Sequence, residues 1–448
     1  MSTADHVHVT KTTNPDTARR ASPEQRRTLL GIGLGNALET FDWAAYALFA
    51  PFFATQIFNP ADPGAALLAT FAVFGAGFLI RPFGAIAFGW IADRKGRKFS
   101  LIAAILCASA GLLLIGLAPT YENAGLLGAG ILLLARLLQG VAHTGEVAAA
   151  YTYIAEVAPP ARRGLWSSVI YASGLTATLL ASLLGTLLTA VLDHQQMTSW
   201  GWRIPFLLGA ALGLLTLVLR RRMNEPEAFV KQVRDSTGEP RRSVLADVWR
   251  HRGAGARVFL LTAANSVFFY AWIVTGPSWA ISVAELEPAE ALMASCLALG
   301  VGVAVLPILG ALSDRIGRRR STYIYGIGVA TLAYPLDQLG RGGGAWRFAV
   351  AMTIAVVLFA FLGSVFPALL AELFPTGIRA SGIALPYALA AVIFAGTAPF
   401  LQQWLNQRGS SVVFVAYIAV TALLGAVAMY FSPETRGIEL STTGDPRP

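Results

Sequence analysis

Two carboxylates, Glu39 and Asp42, stand three residues apart in "GNALETFDWAAY" (Gly35–Tyr46), inside an otherwise apolar stretch. Asn36, Glu39, Asp42 and Tyr46 recur every three or four residues, which on a helix makes one polar stripe. Arg136, Gln139, His143 and Glu146 repeat that spacing further along, and Arg81 in "FLIRPFGA" is another charge in an apolar run. Two acids one turn apart in a poorly solvated site cannot both ionise cheaply. One takes up a proton or is neutralised by an arginine. His143, one turn from Glu146, is either a second proton site or a neutral, hydrogen-bonded core histidine. If both stripes face one cavity, it contains three carboxylates, a histidine and one or two arginines. Arg136 has a blander reading as a helix-locking ion pair with Glu39 or Asp42.

The elements that carry these residues are greasy. The 448-residue chain is 55% hydrophobic and only 13% charged, against about 25% charged in a soluble domain. Twelve apolar stretches run near 27–49, 66–91, 99–118, 125–149, 164–192, 203–220, 257–280, 291–312, 322–340, 347–371, 380–405 and 412–431. Most reach the roughly 20 residues that cross a bilayer as helix. The expectation is an all-α integral membrane protein of twelve transmembrane helices. A charge at the bilayer centre costs about 2.5–3.5 kcal/mol on insertion scales, so the buried charges should face the protein interior. Arg203, beside Trp200 and Trp202, instead reads as an interfacial anchor.

Assigning loops alternately to two sides puts 28 of the 34 Lys and Arg on the side of the termini and three on the other. That asymmetry predicts cytoplasmic termini in a cell inner membrane, and it explains the net charge of +9 without a nucleic-acid partner. The polar first 26 residues have no signal-peptide pattern. Cys107 and Cys296 fall within spans, which argues against a disulfide or metal framework. Neither a metal nor a cofactor is expected, and no phosphate-binding G-x-x-x-x-G-K-[ST] sequence suggests ATP as the driving force.

The basic stretch Arg220–Arg257 splits the spans six to six. The expected organisation is a tail over 1–26, a six-helix bundle over 27–220, a central loop over 221–256, a second bundle over 257–431 and a tail over 432–448. "GWIADRKGRK" (Gly89–Lys98) and "GALSDRIGRR" (Gly310–Arg319) share G-x-x-x-D-R-x-G-R, 221 positions apart, between the second and third spans of their halves. Topogenic charge would explain Arg94, Arg97, Arg315 and Arg318 but not the other residues. Gly89 and Gly310 permit close helix approach, and Gly96 and Gly317 permit a tight turn. Asp93 and Asp314 can accept from an arginine or a helix N-terminus, contacts that form in one conformation and break in another. A weaker pair, "AEVAPPARRG" and "AELFPTGIRASG", runs A-E-x-x-P and then reaches Arg and Gly.

These loops resemble the signature of the major facilitator superfamily, as do "RLLQG" (Arg136–Gly140) and "SPETRG" (Ser432–Gly437). The resemblance implies two pseudo-symmetric six-helix bundles working by alternating access. "GNALETFDWAAY", "RPFG", "WGWRIPF" and the Glu225-Pro226 pair are similar to the metabolite:proton symporters, and "SGIALPYALAAVIFAGTAPF" is most similar to the alpha-ketoglutarate permeases among them. This implies proton-driven uptake of a small organic anion. Glu39, Asp42, His143 and Glu146 would carry the proton, and Asn36, Tyr46, Arg81, Arg136, Gln139, Tyr270 and Tyr387 would form the binding site. The partners implied are a small-molecule substrate, protons and the bilayer, with the protein acting as a monomer. "AHTGE" departs from the group's G-G-E, and the Gly276-Pro277 break has no clear counterpart. Uptake of proline, betaine or shikimate on the same scaffold is the alternative. Drug efflux fits a cavity with six ionisable residues less well. No nucleophile elbow or metal-spaced His/Cys set supports an enzyme.

Overall fold

The computed structural model describes residues 23–84, 87–88, 91, 97–142, 146–221 and 250–440. Among these there are helices, turns and loops but no strand. In lipid, where backbone groups find no water, a helix satisfies them within its own segment.

In the first half the spans are Pro23–Ile57, Pro63–Leu79, Arg97–Leu117, a fourth described over Leu127–Ala142 and Glu146–Val157, then Arg163–Val191 and Ile204–Arg221. In the second half the seventh runs Arg252–Phe268, through a π-helical turn Phe269–Val274, to Gly276–Ser282. Then come Pro288–Ile316, Arg318–Arg341, a tenth in two pieces (Ala345–Gly363 and Phe366–Glu372), an eleventh, and Ser411–Tyr430. The eleventh comprises Arg379–Ala390, a second π-helical turn Ala391–Ala395, and Ala398–Gln407. By length and apolarity alone, seven helical runs among the described residues can cross a membrane. The first span outruns its apolar stretch, continuing through Pro51 to Ile57 because Phe52, Phe53 and Ile57 are buried against neighbouring helices.

Local chemistry sets the ends. Asp62 accepts from the Ala65 N–H at 2.9 Å and Pro63 starts the second span, a capped helix start with proline where no donor is needed. Gly317 turns the eighth span into the ninth at φ +101°, and a Cβ there would lie 2.5 Å from the Glu434 carboxylate. At the seventh-span π turn, Tyr270 O accepts the Thr275 N–H at 2.8 Å, and side chains add further donors to the carbonyls there. Thr275 Oγ1 donates to Tyr270 O at 2.7 Å, and Gln402 Nε2 donates to Ala271 O at 3.3 Å.

The halves meet along two seams. The fifth span packs on the eighth so closely that a Cβ on Gly310 would lie 2.7 Å from Gly164 O, and one on Gly164 2.6 Å from Gly310 O. The second span meets the eleventh where a Cβ on Gly75 would lie 2.6 Å from Gly396 O. Residues near 164, 314, 372 and 434 mark what we term the basic face; those near 64 and 407 mark the far face. At the far face Gln407 Nε2 donates to Gly64 O at 2.9 Å, and the Ser278 hydroxyl of the seventh span donates to Ala47 O of the first. Large apolar side chains such as Leu113, Leu187, Ile308 and Val420 point outward from the helices, as lipid-facing positions do.

Candidate functional site

Between the seams lies a cavity of about 90 Å³. The first span brings Asn36, Glu39 and Trp43 to it, and the second, whose helical run continues past Leu79 to Gly84, brings Phe78 and Arg81. The other walls are Tyr151 of the fourth, Tyr171 of the fifth, Asn265 and Tyr270 of the seventh, and Tyr387 of the eleventh. Arg81 Nη2 lies 3.5 Å from Glu39 Oε1. The Arg81 guanidinium sits 4.2 Å from the Phe78 ring centroid and 4.8 Å from that of Trp43. Aromatic contacts bridge the halves, with Tyr270 5.5 Å from Phe78 and Tyr151 6.0 Å from Tyr387. Asn265 Nδ2 donates to the Tyr171 hydroxyl at 2.8 Å, a second tie across the halves.

A buried cluster lies behind this wall. Gln139 Nε2 donates to Asp42 Oδ1 at 2.9 Å, and Arg136 Nη1 lies 3.4 Å from the same oxygen while donating to Gln139 Oε1 at 2.9 Å. Arg136 is fully buried, 3.8 Å from the Tyr46 ring centroid and 4.9 Å from that of Trp43. Tyr46 in turn donates to Thr70 O at 2.9 Å. Asp42, Tyr46, Arg136 and Gln139 do not line the cavity.

The expectation that both stripes face one cavity is corrected for Asp42, Tyr46, Arg136 and Gln139. At about 100° per residue the stripe from Asn36 to Asp42 is some 120° wide. Its leading edge, Asn36 and Glu39, reaches the cavity, and its trailing edge turns into the cluster. Of the expected binding residues, Asn36, Arg81, Tyr270 and Tyr387 line the cavity, while Tyr46, Arg136 and Gln139 stand behind it. His143 lies outside the described residues, as does the side chain of Glu146.

At the basic face the repeats make contact across the halves. Asp314 of the eighth span accepts from the Gly164 and Leu165 N–H groups at 2.8 and 2.9 Å, taking the N-terminus of the fifth span, and also pairs with Arg318 at 2.9 Å. Arg163 lies 3.0 Å from Glu372, and Arg379 lies 2.6 Å from Glu156, so each half gives an arginine to the other's acid. Glu372 also takes Arg318 at 3.3 Å and the Thr435 hydroxyl at 2.6 Å. Arg315 is exposed, and its carbonyl accepts from Arg436. Gly89, Asp93, Arg94 and Gly96 of the first-half repeat lie outside the described residues, and so does the side chain of Arg97.

Known proteins of this build are transporters. The sugar (and other) transporter family matches residues 29–252 and 258–444. The chain belongs to that family. An alpha-ketoglutarate permease of Escherichia coli (strain K12) is 34% identical over 96% of this chain and 98% of its own. A citrate-proton symporter of Salmonella typhi is 34% identical over 91% of this chain and 94% of its own. Among solved structures, a D-xylose-proton symporter superposes with a TM-score of 0.73 at 19% identity, covering 92% of this chain and 98% of that one. The fold is accordingly that of the major facilitator superfamily, twelve helices in two pseudo-symmetric bundles. This family member is a multi-pass membrane transporter and not an enzyme.

Tyr151, Tyr171 and Asn265 carry no sequence signal, while Glu156, Arg163, Glu372 and Arg379 form a charge latch between the halves. The paired A-E-x-x-P stretches contain Glu156 and Glu372, each followed seven residues later by Arg163 or Arg379. The signal for the latch was there; its partner swap between halves is not visible along one chain.

Proposed function

We propose that this transporter is a proton-coupled symporter taking up a small organic anion by alternating access, with 2-oxoglutarate or a related dicarboxylate as the first choice. The observation that carries the reading is the Arg81–Glu39 pair in the wall of a cavity between the halves. Arginine presents a planar fork matched to a carboxylate, and an acid beside it gives the proton a place to reside. Of the two acids on the first span, the cavity favours Glu39 as the proton's carrier. The relatives' printed substrates, alpha-ketoglutarate and citrate, are carboxylates and support the choice.

In this reading the protein works as a monomer whose bundles over 27–220 and 257–431 rock against each other, and the contacts of Asp314, Arg163, Glu372, Glu156 and Arg379 form and break at the basic face. Gly89, Asp93, Arg94, Gly96 and Arg97 serve the first half in the same way. The basic face is cytoplasmic, in a cell inner membrane, as the lopsided Lys and Arg count supports. Labelling of a Ser236→Cys variant from outside intact cells would contradict that orientation.

One feature favours a second reading, uptake of a zwitterion. Among the described lining residues the cavity has one acid, one arginine and a wall of tyrosines, and aromatic faces accept cations. An uptake screen in proteoliposomes with an imposed pH gradient decides between them. Dicarboxylates, citrate, shikimate, proline and betaine would be compared, and accumulation of none of them would overturn the proposal.

A further inference from the structure

Two helices of the second half are interrupted at the level of the cavity. The seventh span turns π-helical over Phe269–Val274 and the eleventh over Ala391–Ala395. Both turns line the cavity, through Tyr270 and Val274 and through Ala391 and Ala395. Each gives way to a short outer helix with proline in its first turn, Gly276–Ser282 with Pro277 and Ala398–Gln407 with Pro399. A π turn followed by proline is a place where a helix bends. These outer helices close the far face through neutral side chains. The Ser278 hydroxyl donates to Ala47 O of the first span, and Gln407 Nε2 donates to Gly64 O ahead of the second at 2.9 Å.

The two outer helices are also tied to each other. Thr275 Oγ1, at the break in the seventh span, lies 2.7 Å from Gln402 Oε1 of the eleventh and 2.7 Å from Tyr270 O of its own span. Gln402 Nε2 donates to Ala271 O at 3.3 Å, so one amide engages the seventh span twice. Further out, Asn406 accepts from Arg341 of the ninth span, and the same guanidinium sits 5.1 Å from the Trp279 ring centroid. Arg341 is a long side chain and 27% exposed, so it can follow the pair. Behind them a cavity of about 20 Å³, bounded by Trp279, Gln402, Asn406, Asp337 and Phe414, separates the pair from the ninth and twelfth spans.

We propose that the outer helices of the seventh and eleventh spans form one lid over the far side of the cavity, and that Gln402 is the yoke that makes them move together. This rests on the reading of the cavity as a transport site worked by alternating access. A hydroxyl has one proton, so Thr275 serves Gln402 or Tyr270 O at any moment. Having both acceptors within reach, it stays satisfied through small shifts between two helices that bend at separate π turns, and no buried donor is stranded. Neither Gln402 nor Thr275 lines the cavity. Gln402 is therefore a positioning residue, which acts on the Tyr270 wall through Thr275 and the Ala271 carbonyl.

The test uses the detergent-purified full chain with Cys107 and Cys296 replaced by alanine. A single cysteine at Ser278 or at Gln403 reports one outer helix each. Both residues are buried, and Gln403 lies one turn before Gln407 on the same helix face. Rates of labelling by a water-soluble maleimide are compared with and without Gly310→Leu, which forces Gly164 and Gly310 apart at the basic face and so holds the far face shut. With Gln402 intact, the two rates should fall by the same factor. In Gln402→Leu the two factors should part by severalfold or more, because each outer helix then follows its own contact. Thr275→Val removes the other end of the tie and should part them too, while Thr275→Ser keeps the hydroxyl and should not. Unequal factors with Gln402 intact overturn the lid, since the helices then move separately already. Equal factors in Gln402→Leu or in Thr275→Val overturn the yoke, since the second half then moves as one rigid body. Rates that Gly310→Leu leaves unchanged at both positions overturn alternating access itself, and the lid with it.

Discussion

Arg163 at the start of the fifth span and Glu372 at the end of the tenth lie 3.0 Å apart, and both are buried. Arg379 and Glu156 repeat the pairing with the halves exchanged, at 2.6 Å. The two pairs differ in exposure: the Glu372 side chain is 0% exposed and that of Glu156 is 41%. That difference predicts unequal consequences. Removing one partner of a buried pair leaves an uncompensated charge, at about 3–5 kcal/mol. An exposed partner is worth about 0–1 kcal/mol.

Glu372→Ala should therefore lower the thermal unfolding midpoint of the detergent-purified protein sharply, because it strands Arg163 and Arg318 together. Glu156→Ala should lower it less, because Glu156 is 41% exposed and the buried Arg379 that it strands keeps its Ala371 carbonyl and Thr376 hydroxyl partners. Equal shifts in the two melting curves would show that burial at this face does not govern the latch.

Gly310 and Gly164 approach back to back, and a Cβ on Gly310 would meet Gly164 backbone at 2.7 Å. Backbone cannot swing aside as a flexible side chain can. Gly310→Leu should wedge the basic face open, so that a cysteine at buried Ser167 becomes reachable by a water-soluble maleimide. Substrate binding should persist while transport is lost. An unreactive Ser167→Cys in the Gly310→Leu background would argue against the wedge.

Asp314 takes the N–H groups of Gly164 and Leu165 from the other half while pairing with Arg318 in its own. It is far from the cavity residues in sequence and belongs to the closing contact. Asp314→Asn keeps the shape and loses the charge that favours a helix N-terminus. Turnover should fall severalfold or more, with binding affinity kept within about twofold, since the loss falls on the conformational step. The comparison is initial uptake rate against equilibrium binding, and a large loss of affinity at unchanged turnover would reassign Asp314 to the substrate site.

The twelve apolar stretches mark the helices because lipid demands both length and internal hydrogen bonding, and those are local properties. Arg81 and Glu39 were visible as charges in greasy runs. What the sequence could not supply was the direction in which a broad stripe divides. Asn36 and Glu39 face the cavity while Asp42 and Tyr46 do not, which depends on where the fourth span packs. The tyrosines at 151 and 171 carry no charge and no motif, so only the packing of the halves brings them to one wall.

The Asp42–Arg136 pair gives the last prediction. Both residues belong to the first half, and their contact ties its first span to its fourth. A contact within one rigid bundle need not break when the halves rock, so the pair is expected to hold the bundle together while Glu39 carries the coupled proton. Arg136→Ala leaves a buried carboxylate without its cation and should destabilise by about 3–5 kcal/mol, losing exchange and accumulation together. Arg136→Lys keeps the charge without the fork and should recover part of both. The charge-free double variant Asp42→Asn, Arg136→Gln removes both halves of the pair at once, so it should melt close to the wild type and regain pH-driven accumulation. Melting curves and gradient-driven uptake on the same preparations check this. A double variant that is stable and exchanges substrate but accumulates none would sink the assignment, because Asp42 would then be carrying the coupled proton.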